Sequence, residues 1–136
     1  MNRRFGRAWL ALTLALACHV TDEALTGFLD VYNPIVLAAR ARFGWFPMPT
    51  FAFWTWLLLL IGGILLLLLV TPAAYRGNRV LRVLAWPFAA IMFMNGIGHL
   101  AASLYLRRWA PGATTAPLLL GASFWMFTVV RARADR

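Results

Sequence analysis

Long apolar runs alternate with short polar connections along this chain. The clearest run, Phe51 to Val70, contains no charged residue and ends just before Pro72. A helix needs about 20 apolar residues to cross the hydrocarbon core of a bilayer. Runs that approach this length predict four transmembrane helices, over about residues 8–30, 51–71, 83–106 and 114–130. The sequence therefore predicts an all-α, polytopic four-helix bundle that occupies residues 1–136 as a single domain.

One predicted connection is longer than the others. The segment VYNPIVLAARARFGWFPMP, residues 31–49, contains Pro34, Pro47 and Pro49. Proline removes a backbone donor and clashes with the preceding turn, which argues against a continuous helix here. A short interfacial helix around Ile35 to Arg42 is expected within this connection.

Composition supports a membrane protein and excludes several other classes. Hydrophobic residues make up 62% of the chain and charged residues 12%, about half the charged share of a soluble domain. The net charge of +9 comes from arginines clustered between the apolar runs. No aromatic-interleaved basic surface or zinc-finger spacing accompanies them, so we expect no nucleic-acid partner. The single cysteine, Cys18, excludes an intrachain disulfide.

The arginines also predict an orientation. If the N-terminus is cytoplasmic, nine arginines lie on the inner side of the four helices and four on the outer side. The positive-inside rule then places both termini in the cytoplasm, in a multi-pass protein of the bacterial inner membrane. A signal peptide cleaved before Cys18 is the alternative. It is disfavoured because cleavage would remove the first span and leave the new N-terminus outside.

Three of the four acidic residues lie together in the first predicted helix. If that helix continues through Asp30, spacings of i, i+3, i+4, i+7 and i+11 place a polar stripe on one face. Ionisable groups inside a bilayer normally face the bundle interior and have a partner. The stripe consists of His19, Asp22, Glu23, Thr26 and Asp30.

The third predicted helix offers the matching polar residues. Asn95, His99 and Ser103 recur every four residues and share one face. The first and third helices run in the same direction, and at about 1.5 Å per residue their polar residues reach the same depth. Gly96 and Gly98 are expected to let these two helices approach closely.

Imidazoles beside carboxylates suit zinc, iron or manganese. Three or four protein ligands with a position left for water would resemble a catalytic metal site. The candidate metal ligands are His19, Asp22, Glu23 and His99. Asp22 and Glu23 are also candidate catalytic acids or bases, and Asn95 is a candidate orienting donor. Haem ligation by the two histidines is a poorer fit because acids flank them.

The polar motifs resemble those of a family of uncharacterised bacterial membrane proteins named for an HXXEE motif. HVTDE matches that motif at His19 and Glu23, with Asp22 in place of the first glutamate. NGIGH matches the family's asparagine and histidine at Asn95 and His99. SLYLRRWAPGATTAPLL is similar to the family's segment before its last span. The resemblance implies a four-span protein with a polar intramembrane site, and it implies no particular reaction.

Three functional hypotheses stay open at this point. The leading one is a metal-dependent membrane enzyme acting on a lipid-soluble substrate that enters from the bilayer. The second is a protein that translocates protons or ions through the carboxylate–histidine cluster. The third is a structural or accessory subunit whose polar network fixes helix packing. A homo-oligomer is compatible with so small a chain, but no motif requires one.

Overall fold

The computed structural model describes residues 3–132, and these residues form helices and connections with no strand among them. Three segments are apolar and long enough to cross a membrane: Arg3–Thr26, Phe53–Tyr75 and Arg79–Leu106. The fourth predicted span is also a helix, but at 16 residues it is shorter than the others. The helices are α1 (Arg3–Thr26), α2 (Phe28–Phe43), α3 (Phe53–Leu69), α4 (Thr71–Tyr75), α5 (Arg79–Leu106) and α6 (Ala116–Arg131).

The first helix ends earlier than predicted. α1 stops at Thr26, and Gly27 takes a left-handed conformation with φ of 77°. Glycine adopts this conformation without the steric cost that a side chain brings. The chain then turns into α2, where the Asp30 N–H donates to the Gly27 carbonyl at 3.1 Å. The predicted continuation of the first helix through Asp30 is therefore wrong, and Asp30 belongs to the first turn of α2.

Most of the predicted long connection is helical. α2 continues through Pro34 to Phe43, so the expectation that this proline prevents a continuous helix is wrong. A pair of hydrogen bonds holds the helix beside the proline. Asn33 Nδ2 donates to the Phe51 carbonyl at 2.9 Å, and the Phe51 N–H donates to Asn33 Oδ1 at 3.0 Å. Pro47 and Pro49 do lie in non-helical backbone.

Helix α6 lies between α1 and α5 and packs closely against both. A Cβ atom on Gly96 of α5 would lie 2.8 Å from Leu120 Cγ and 3.2 Å from the Ala116 carbonyl oxygen. Glycine therefore lets α5 approach α6, as small residues do at helix crossings in membranes. The sequence predicted that Gly96 would bring the first and third spans together. That prediction is wrong, because Gly96 faces α6. Nothing lies within 4 Å of the equivalent position on Gly98.

The core is apolar and is centred on α1 and α6. Trp9 lies inside it, and its Nε1–H donates to the Leu67 carbonyl of α3 at 3.1 Å. The buried hydroxyls of Thr13 and Ser123 donate to carbonyls of their own helices, and that of Thr71 donates to the Leu67 carbonyl of α3. The largest fully buried apolar side chains are Phe5, Leu12, Leu119 and Met126. Polar residues gather instead toward the C-terminal ends of α1 and α5.

Candidate metal site

Three buried side chains meet near the C-terminal ends of α1 and α5. His19, Glu23 and His99 expose only 0%, 4% and 7% of their surfaces. His99 Nε2 lies 2.9 Å from Glu23 Oε1, and His19 Nε2 lies 3.6 Å from the same oxygen. One potential ligand atom from each residue falls within 4.8 Å of the other two. We call these three residues the His/Glu cluster.

Helical geometry explains the contribution of α1. His19 and Glu23 are separated by one turn, so their side chains lie on the same face of the helix. Asp22 is adjacent to Glu23 in sequence and is therefore rotated by about 100° around the helix. Its spacing of three residues from His19 would still allow it to join the cluster, but its carboxylate bonds to Thr115 instead.

The segment between α5 and α6 fixes the ring of His99. His99 Nδ1 lies 2.5 Å from the Pro111 carbonyl oxygen. A carbonyl oxygen only accepts hydrogen bonds, so Nδ1 carries a proton, and in the neutral ring Nε2 is left with a lone pair. Gly112, with φ of 78°, packs against the ring, and a Cβ atom there would lie 2.7 Å from His99 Nδ1. A side chain at this position would displace the imidazole.

Thr115 fixes the other imidazole. Its Oγ1 lies 2.9 Å from His19 Nδ1, 2.9 Å from Asp22 Oδ2 and 3.3 Å from the Gly112 carbonyl oxygen. The last two atoms are acceptors, so the hydroxyl proton goes to one of them and Oγ1 accepts from His19 Nδ1–H. His19 Nε2 therefore also carries a lone pair. An orienting hydrogen bond on the second ring nitrogen is typical of histidines that bind metals.

The two fixed imidazoles leave the cluster rich in acceptors. Two Nε2 lone pairs and an ionised Glu23 would face one another with no donor between them. A single shared proton satisfies the 2.9 Å contact between His99 and Glu23. It does not satisfy His19 Nε2, which is buried without a hydrogen-bond partner among the described residues. Buried polar atoms are normally satisfied, so the cluster is suited to bind a cation.

Asp22, which the sequence also predicts as a ligand or a catalytic acid or base, contacts Thr115. Its Oδ2 accepts from the Thr115 backbone N–H at 3.1 Å as well as from the Thr115 hydroxyl. It thereby binds the N-terminal end of α6, where a carboxylate is favoured by the helix dipole. Among the described residues Asp22 belongs to no group of potential metal ligands. Asp22 is linked to His19 through the Thr115 hydroxyl.

The other predicted polar residues are spread around the cluster. Asn95 lines cavities on both sides of Phe28 and makes no side-chain hydrogen bond to any described residue. Ser103 Oγ donates to the His99 carbonyl at 2.9 Å and accepts from the Ala110 N–H at 3.0 Å. Thr26 donates to the Asp22 carbonyl. These bonds stabilise the surrounding backbone and leave the cluster with three candidate ligands.

Three cavities reach the cluster, and two of them differ in the polarity of their walls. An apolar groove of about 520 Å³ runs between α2 and α5 and includes His99 and Asn95 in its wall. A more polar cavity of about 200 Å³ reaches Glu23 past Asp30 and Asn33. Phe28 lines both, and its ring centroid lies 5.5 Å from that of His99. The cluster thus adjoins an apolar and a polar space.

No family model, curated protein or solved structure matches this chain. The resemblance to the HXXEE family stays a prediction from the residues. The function is therefore argued from the chemistry of the cluster and its surroundings.

Proposed function

We propose that this chain is a membrane metalloenzyme in which His19, Glu23 and His99 bind one divalent transition metal. The observation that carries the proposal is the buried, unpartnered His19 Nε2, aimed at a carboxylate and a second imidazole. A cation would satisfy all three acceptors together. Zinc, iron and manganese all accept this mixture of nitrogen and oxygen ligands.

The number of protein ligands favours catalysis over a purely structural role. Structural zinc sites are usually closed by four protein ligands, whereas catalytic sites keep a position for water or substrate. The cluster has three candidate ligands among the described residues. A bound metal would supply Lewis-acid chemistry or an activated water. Glu23 and the two oriented imidazoles would hold the metal, and Asn95 would hold the substrate in place.

The surroundings favour a lipid-soluble substrate. The groove beside His99 is lined mainly by apolar side chains and lies between helices of a strongly apolar chain. A water-soluble polar substrate would lose hydration on entering such a groove. We infer that the substrate reaches the cluster from the bilayer, in a four-span protein whose termini are both cytoplasmic.

Proton translocation is the second candidate, and the polar cavity beside Glu23 favours it. That cavity connects Glu23 with Asp30 and Asn33 on one side of the cluster. Toward the N-terminal end of α1, however, the buried side chains Leu12 and Leu16 are apolar. A relay needs ionisable groups or water on both sides, so this candidate accounts for fewer of the observations.

The test is the metal content of the detergent-purified protein. We expect about one transition metal per chain in the wild type, as for a mononuclear site. His19→Ala and His99→Ala should each lose most of it. Ser123→Ala is the control, because Ser123 is buried but bonds only within α6. Full metal content in both histidine variants, or none in the wild type purified with added zinc, iron or manganese, would overturn the proposal.

A further inference from the structure

The groove between α2 and α5 is built like a binding site for a small amphiphile. Its volume of about 520 Å³ lies within the range of about 300–1,000 Å³ that is usual for small-molecule sites. Ile91 and Met94 in its wall expose 61% and 63% of their surfaces, which leaves the groove open to the surrounding bilayer. A ligand would therefore enter sideways from the lipid.

The groove wall contains no charged side chain among the described residues. Its polar side chains are Tyr32, Asn95 and His99. The Tyr32 hydroxyl donates to the Pro49 carbonyl at 2.9 Å, and both ring nitrogens of His99 have close partners. A charged ligand would be buried there without a counter-charge, which is costly. The groove thus favours an uncharged ligand.

Asn95 is the one polar side chain of this groove wall without a hydrogen bond to a described residue. Its amide offers two donors and an acceptor. No water is present in the bilayer core to satisfy such a group, so polar side chains there need a partner. A ligand carrying an oxygen atom would provide one.

The position of Asn95 places that oxygen near the His/Glu cluster. Asn95 precedes His99 by one turn of α5, so both side chains lie on the same face. Asn95 also lines a second cavity, of about 300 Å³, whose wall includes Glu23. A polar group bonded to Asn95 would therefore lie beside two residues of the cluster.

The geometry points to a neutral single-chain lipid as the ligand of this groove, with its apolar chain between α2 and α5 and an alcohol or carbonyl oxygen on the Asn95 amide. This inference rests on the proposed function in treating the lipid as the substrate of the metal site. The lipid's oxygen is the group that the metal would act on. Binding itself depends on the groove and on Asn95.

The experiment is photolabelling of the full chain in vesicles of phosphatidylcholine and phosphatidylglycerol. The probe is a long-chain alcohol with a diazirine in its chain, and peptide mass spectrometry locates the label. We expect labelling of the groove residues of α2 and α5. Excess unlabelled long-chain alcohol should suppress it, whereas an alkane or a fatty acid anion of equal length should not.

Two variants test the assignment. Gly98→Leu adds a side chain to the groove wall at a position where nothing lies within 4 Å of a Cβ atom. It should lower groove labelling about tenfold, since each displaced methylene contact weakens binding severalfold. Gly121→Leu is the matched control, because Gly121 is equally open and lies on α6. Asn95→Leu keeps the side-chain size and should remove the preference for alcohol over alkane.

The outcomes separate this inference from the metal proposal when metal content is measured on the same samples. Lost labelling with full metal content in Gly98→Leu supports the groove as the lipid site. Equal labelling of Gly98→Leu and wild type, or equal competition by alkane and alcohol, overturns it whether or not metal is bound. Specific labelling of a wild type that binds no metal would support the groove and refute the metal site alone.

Discussion

Thr115→Val should weaken metal binding although Thr115 contributes no ligand. The substitution keeps the size of the side chain and removes the hydroxyl that lies between Asp22 and His19. The Thr115 backbone N–H still donates to Asp22, so the start of α6 stays attached to α1. The substitution therefore removes only the partner that orients the His19 ring and fixes its tautomer.

The magnitude follows from the bonds that are lost. Two hydrogen bonds of 2.9 Å disappear, one of them to a carboxylate. Removing an outer partner of a metal-binding histidine typically lowers metal affinity about 10–100-fold. That range corresponds to about 1.4–2.7 kcal/mol of binding free energy. The folded protein should lose a further ~1–3 kcal/mol of stability, because His19 Nδ1–H is left buried without an acceptor.

Chelator competition measures the effect. Wild type, Thr115→Val and Thr115→Ser are titrated against a chromophoric zinc chelator in the same detergent. Thr115→Ser retains the hydroxyl and should bind nearly as tightly as wild type. Thr21→Val is the control, because Thr21 lies two residues from His19 but is exposed and bonds to its own helix. An unchanged dissociation constant in Thr115→Val would refute the tautomer argument.

Three further predictions follow from the same contacts. Gly112→Ala should lower both thermal stability and zinc affinity. Gly44 has a similar positive φ but open space around it, so Gly44→Ala should lower thermal stability alone. Equal zinc affinity in the two variants would contradict the contact of Gly112 with His99. Gly96→Ala should reduce the thermal midpoint in detergent because the added carbon meets Leu120. Gly98→Ala should leave the midpoint unchanged or raise it. A lower midpoint for Gly98→Ala than for Gly96→Ala would contradict the α5–α6 contact. Zinc affinity should fall as pH is lowered from neutral, because protons compete with the metal for both imidazoles. A pH-independent affinity in chelator competition would exclude histidine ligands.

The parts of the site that were predictable from sequence are those fixed by helix periodicity. His19 and Glu23 lie one turn apart, and His99 reaches a similar depth on another apolar helix. Intervals of four residues and a constant rise per residue were enough to place these three side chains together. The same periodicity also places Asp22 near His19, three residues away. Its position outside the group depends on the hydrogen bonds that Thr115 donates to it.

The remaining parts depend on how connections fold back onto the helices. Pro111, Gly112 and Thr115 reach the imidazoles because the segment before α6 returns to the end of α1. Neither apolar periodicity nor depth describes the path of such a segment. The sequence signal for this turn is the pair Pro111 and Gly112, which lies in the segment that resembles the HXXEE family. The sequence does contain a glycine, Gly27, at the point where the first helix ends. Its left-handed conformation depends on tertiary contacts that a local pattern does not contain.

The most direct test of the central claim is X-ray absorption spectroscopy of the zinc-loaded protein. The account predicts two imidazole nitrogens at about 2.0–2.1 Å together with oxygen ligands at about 2.0–2.2 Å. His99→Ala should retain at most one imidazole in that spectrum. A first shell that contains no imidazole, or one that is unchanged in His99→Ala, would contradict metal binding by His19, Glu23 and His99.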